Sequence, residues 1–226
     1  MRIRKLIAML VAITLFVVTL SACYSYSLTA SNLMKGVYAQ SVDTVELDDS
    51  FIHSTTNLSM ELFKRAFATE GNVMVSPTSI LLALAMTTNG ADANTLSQME
   101  QVLGGGISID QLNKYLFSFV NSLESQKKSR LKIANSIWFK EGGIEINPNF
   151  LQTNANYYGA DAYAAAFDES TVADINKWAD KNTEGMIKEI LKEIPDEAIM
   201  YLINAVMFDA EWARIYNKGD IIINEF

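Results

Sequence analysis

The chain has 226 residues, 50% hydrophobic and 19% charged, which is enough apolar side chain to bury a core and excludes a disordered acidic tail. Eighteen basic against twenty-six acidic residues give a formal net charge of −8, so there is no electrostatic footing for sequence-independent nucleic-acid binding. The single cysteine excludes an internal disulfide, and the single histidine, His53, makes a histidine metal site or a Ser-His-Asp triad very hard to build.

The chain opens on Arg2, Arg4 and Lys5, followed by an apolar run from Leu6 to Leu20 broken only by Thr14 and Thr19. That run is short for a membrane span and suits the apolar region of a signal peptide. It ends in Leu20-Ser21-Ala22-Cys23, which resembles the lipobox of bacterial lipoproteins. The resemblance implies a signal peptide over residues 1–22 and a lipidated Cys23 at the mature N-terminus. An uncleaved signal anchor is the alternative. Residues 1–22 carry three of the basic residues and no acid, which leaves fifteen basic against twenty-six acidic and a formal charge of −11. An anionic membrane surface repels such a chain, so attachment would rest on acyl chains. Residues 23–48 show no sustained period and read as a flexible tether.

The domain is expected over residues 49–226. Leu58, Leu62, Phe63, Ala66 and Phe67 fall on one face of a helix, which Gly71 ends. Val73-Met74-Val75 reads as a short buried strand. Ser76 then suits an N-cap and Pro77 a first helical position, opening a buried helix to Asn89. Further helices are expected from Ala93 to Leu103 and from Asp110 to Ser125. The glycines at 104–106 follow a helix and precede no Lys-Ser/Thr, so they are not read as a phosphate loop. The period then changes to two over Leu131–Phe139, a strand. Asn147-Pro148 opens a helix to Tyr158, and Ala160 to Phe167 reads as a strand. Thr171 to Asp174 has a capping-box spacing and opens a helix to about Thr183. Ten of the eleven residues from Ala198 to Phe208 are apolar or aromatic, which suits a strand covered on both faces. Asn204 is the exception, and burial demands that it be hydrogen-bonded.

Five blocks in order carry a resemblance to the serpins, the serine protease inhibitor superfamily. They are NVMVSPTSILLALAMTTNGA (72–91), LKIANSIWF (131–139), NYYGADAYAAAF (156–167), NKWADKNTEGMIKEIL (176–191) and YLINAVMFDAEW (201–212). The resemblance implies an α+β fold in which N-terminal helices pack on part of a central sheet A, incomplete at the C-terminus. It places Ser76, Ser79, Asn176 and Asn204 in the family's shutter, under the middle of that sheet. It places Trp212 at the breach, where the reactive loop enters. Met186 departs from the lysine usual at its position, and Ile215-Tyr216 from a Pro-Phe.

The resemblance also implies a mechanism. A target serine or cysteine protease cuts an exposed loop, and the loop inserts as a new strand in sheet A and carries the acylated protease with it. Such an inhibitor supplies conformational energy and no catalytic group, cofactor or metal. The reactive-centre loop is absent from this sequence, so the chain is expected to be inactive alone and to present residues 198–208 as an open strand edge. The expected location is the outer face of a bacterial membrane, held by the lipid anchor. A non-inhibitory tethered binding protein, or a decayed fragment, is the alternative. A third class, an unrelated lipoprotein enzyme or solute-binding domain, has no support in the sequence: Glu189, Glu193, Asp196 and Glu197 read as a solvated face.

Overall fold

The structure, a computed structural model, describes residues 27–68, 71–123 and 129–212, together with 214, 219 and 222. A two-residue strand, β1 (Ser31–Asn32), comes first. Helix α1 (Asp49–Phe67) begins nine residues before Leu58, where its apolar register becomes legible, because Asp48 caps it: the carboxylate accepts from the Phe51 N–H at 2.9 Å. Helices α2 (Pro77–Thr88), α3 (Ala93–Gly104) and α4 (Ile109–Ser122) follow. Gly105 ends α3 at φ +62°, a left-handed position that favours glycine. Strand β2 (Ser129–Lys140) precedes α5 (Pro148–Tyr158), β3 (Asp161–Ala165), α6 (Glu169–Asn182) and β4 (Met200–Ala210).

Two expectations need local correction. Val73-Met74-Val75 forms no strand, and Met74 is 99% exposed, because no neighbouring strand among the described residues bonds to it. Helix α6 starts ahead of Thr171. Asp168 is its cap, accepting from the N–H groups of Ser170 and Thr171, while the Thr171 hydroxyl accepts from the Phe167 N–H at 2.9 Å.

The sheet has the order β1-β3-β2-β4, with β2 parallel to β3 and antiparallel to β4. Its two faces carry separate cores. On one face Ile137, Phe139, Met200 and Leu202 meet the helical layer through Leu81, Leu82, Ala85 and Leu116. On the other, Trp138, Tyr163, Ile203 and Ala205 lie under Ile175 and Trp178 of α6. Each apolar side chain fully buried there contributes about 1.5–3 kcal/mol before entropy is counted.

The tether expected over residues 23–48 is corrected for its described part. Residues 27–48 run as a strap along the domain. Strand β1 lies within it and pairs antiparallel with β3. Asp174 accepts from Thr29 N–H, Thr29 Oγ1 and Ala30 N–H at 2.7, 2.7 and 2.8 Å. Gln152 donates to the Tyr38 carbonyl, and the Val45 N–H donates to Ser118 Oγ. Leu28 packs on the core under α6, and Leu33, Val45 and Leu47 pack on the helical side. Partners far along the chain hold this segment, so no local period marks it.

Asp48 gives a pH test. Hydrogen bonds from the hydroxyls of Ser50 and Tyr115 and from the Phe51 N–H lower its pKa from the ordinary 3.8 to about 2. A carboxyl whose folded pKa lies below its unfolded one stabilises fully above the unfolded value. That contribution disappears as pH falls from about 4 to about 2. Asp48→Asn is therefore expected to lower the urea midpoint at pH 6 and to flatten its decline between pH 4 and 2. Parallel profiles for the two proteins over that window would refute this role.

Candidate functional site at the open edge of the sheet

Strand β4 pairs with β2 on one side only, and among the described residues no strand pairs with its outer edge. The Lys140 N–H donates to the Ile199 carbonyl at 3.0 Å. From that bond and the register, the main-chain groups of Ile203, Ala205 and Met207 face β2. Those of Leu202, Asn204, Val206 and Phe208 face the vacant side. Val206 is 36% exposed and Phe208 67%, although they continue the row of Met200 and Leu202. The edge thus offers a line of unsatisfied donors and acceptors flanked by apolar side chains.

At the middle of this strand, Asn204 lies opposite Asn135 of β2. Asn204 Nδ2 donates to Asn135 Oδ1 at 2.7 Å, and Asn135 Nδ2 donates to the Tyr158 carbonyl at 2.9 Å. The amide chain ties β4 through β2 to the end of α5. Asn204 Oδ1 is buried and has no hydrogen-bond partner among the described residues. A buried acceptor left unpaired costs about 1–3 kcal/mol. Asn135 was missed in the sequence reading, where it passed as one member of an alternating row. The signal was there: each of two adjacent strands carries a single amide in an otherwise apolar row.

The other residues singled out from the sequence stand as follows. Ser76 caps α2 and donates its Oγ hydrogen to Ser79 Oγ at 2.9 Å. This pair is on the helical side of the sheet, the same side as Asn204, but no hydrogen bond joins it to Asn204 among the described residues. Asn176 belongs to α6, on the opposite face. Its Oδ1 accepts from the N–H groups of Ile190 and Leu191 at 2.8 and 2.9 Å, and its Nδ2 donates to the Leu191 carbonyl at 2.7 Å, so it clamps the segment returning to β4. Trp212 lies just beyond the end of β4 and is 79% exposed. Cys23 lies outside the described residues. At the far end of β4, Arg130 holds Asp209 and Glu184 at 2.7 and 2.9 Å. These exposed ion pairs are screened by solvent and add little to stability.

No catalytic grouping competes with this edge among the described residues. His53 is exposed on α1, and Glu189, Glu193, Asp196 and Glu197 are all exposed. Among the described residues no cluster of three His, Cys, Asp or Glu side chains could hold a metal ion, and no helix is long and apolar enough to cross a membrane.

Comparison with known proteins agrees with this architecture. Residues 53–226 match the family model described as "Serpin (serine protease inhibitor)". Human neuroserpin is 34% identical over 168 residues, covering 69% of this chain and 40% of neuroserpin. Mouse alpha-2-antiplasmin is 27% identical over 187 residues, covering 80% of this chain and 37% of the antiplasmin. The crystal structure of tengpin, a thermophilic serpin, in its native state superposes with a TM-score of 0.79 at 52% identity, covering 84% of this chain and 49% of tengpin. The chain thus spans less than half the length of each of these relatives. The described residues form an α+β arrangement of helices packed on a partial, mixed sheet A. The chain belongs to the serpin (serine protease inhibitor) family.

Proposed function

We propose that this chain is the strand-accepting half of a serpin-type trap for a serine or cysteine protease. The observation that carries the reading is the vacant edge of β4, apolar on both faces and rich in unpaired main-chain groups. An extended segment entering there gains hydrogen bonds along its whole length and buries Val206 and Phe208. In this reading Asn204, Ser76, Ser79 and Asn176 govern how far β4 can part from a neighbouring strand. The unpartnered Oδ1 of Asn204 marks where a donor from such a neighbour is needed. Trp212 stands at the end where entry starts. Residues 1–22 serve as a signal peptide, and a diacylglyceryl group on Cys23 holds the domain at the outer face of a bacterial membrane.

These 226 residues by themselves are expected to inhibit no protease, because the described part supplies only an acceptor strand. Incubation with trypsin-like, chymotrypsin-like and papain-like proteases should leave no covalent complex on denaturing gels. A stable complex would overturn this proposal. Metabolic labelling with a radioactive fatty acid should mark the wild-type chain and not Cys23→Ser. Equal labelling, or none, would overturn the anchor.

A further inference from the structure

We infer that the α6 side of the domain is a lipid-docking face, where Met186 and Ile190 dip into the surface of the bilayer that holds Cys23. The inference rests on the proposal that Cys23 is lipidated, and adds which residues meet the membrane. The start of the described chain lies on α6. The Lys177 ammonium donates to the Ser27 carbonyl at 2.9 Å, and Asp174 holds Thr29 and Ala30 just beyond. Cys23 is four residues ahead of Ser27. Acyl chains on it therefore keep α6 no farther from the headgroups than about half the thickness of the bilayer core.

The segment that returns from α6 to β4 runs beside this attachment. Asn176, next to Lys177, accepts from the N–H groups of Ile190 and Leu191. Ile187, Leu191 and Ile194 pack inward on the core under α6. Met186 and Ile190 stay outside it, 56% and 39% exposed. Lys188 and Lys192, also exposed, can lay their stems along the apolar boundary and keep their ammonium groups among the headgroups. Charge separates this face from the rest. Residues 177–193 carry four basic and four acidic side chains, whereas the remainder of residues 23–226 carries eleven and twenty-two. An anionic bilayer repels the domain least at this face, and contact there has to come from apolar insertion. Two side chains suffice because the anchor has already brought them to the surface, so docking restricts only a short link.

The test reads the surroundings of a dye on the acylated chain. Cys23 is the sole cysteine, and the diacylglyceryl thioether consumes its sulfur, so a cysteine introduced elsewhere is the single free thiol. A nitrobenzoxadiazole dye on Met186→Cys or Ile190→Cys, in vesicles of phosphatidylcholine and phosphatidylglycerol, should emit to the blue of its aqueous value. Lipids spin-labelled near the headgroup should quench it, as expected for insertion by about 5–10 Å. The same dye on Gln101→Cys, exposed on α3 across the sheet, should show neither effect. Adding Ile190→Glu should lower the docked-to-free ratio read at position 186 at least about tenfold while keeping the far-UV circular dichroism. Aqueous emission at both positions on a chain that carries the lipid would overturn the docking and leave the anchor standing. An equal signal at position 101, or unchanged docking with Ile190→Glu, would overturn the assignment of the face. A Cys23 without lipid would overturn anchor and docking together.

Discussion

Replacing Trp178 with alanine is expected to lower the unfolding free energy by about 3–5 kcal/mol. The side chain is 2% exposed and joins α6 to the sheet. It lies over the face where the rings of Trp138 and Tyr163 stack with centroids 4.4 Å apart. Its Nε1 donates to Asp161 Oδ2 at 2.8 Å, a bond to the first residue of β3. Truncation removes the largest side chain of α6 and leaves that carboxylate without its donor. Whole domains are stable by about 5–15 kcal/mol, so the variant should unfold at a much lower urea concentration, followed by far-UV circular dichroism. A loss below about 1 kcal/mol would mean that α6 does not close this face of the sheet.

The second large effect concerns Asn135. In Asn135→Ala the Asn204 amide loses its Oδ1 acceptor, and the Tyr158 carbonyl loses its side-chain donor. With unpaired buried groups at about 1–3 kcal/mol each, a loss near 3 kcal/mol is expected. The double variant Asn135→Leu/Asn204→Leu removes both amides and fills their space with apolar volume, and its loss should be far smaller. Urea unfolding of the two single leucine variants and the double completes a cycle whose coupling should exceed about 1 kcal/mol. Additive losses would show that the two amides do not act as a unit.

How much of this was legible in the sequence depended on whether the signal was local. The caps were readable. Ser76-Pro77 and Asn147-Pro148 open α2 and α5 where read, and Gly159 ends α5 at φ +54°. Strands β2 and β4 declared themselves by alternation and by an apolar run interrupted only at Asn204. The start of α1 was harder, because His53 to Asn57 is polar and only Phe51 is buried in its first turns. At α6, Asp168 and Thr171 both offer plausible cap chemistry, and the backbone places Asp168 at the cap. The strap was invisible because Asp174 and Ser118, which hold it, lie far along the chain. The candidate site was read one residue at a time. Asn204 was found by its oddity, whereas its pairing with Asn135 needed the register, and the separation of Asn176 from the serines needed the knowledge of which face each helix covers.

The strap also sets a distance. Lys177 donates to the carbonyl of Ser27 at 2.9 Å, so the chain is already fastened to α6 at that point. Only four residue steps separate Ser27 from Cys23, a reach of at most about 14 Å. An acyl group on Cys23 would therefore leave no long leash: it would park the domain directly on the lipid headgroups, with the α6 side turned toward the bilayer and little freedom to search the space above it.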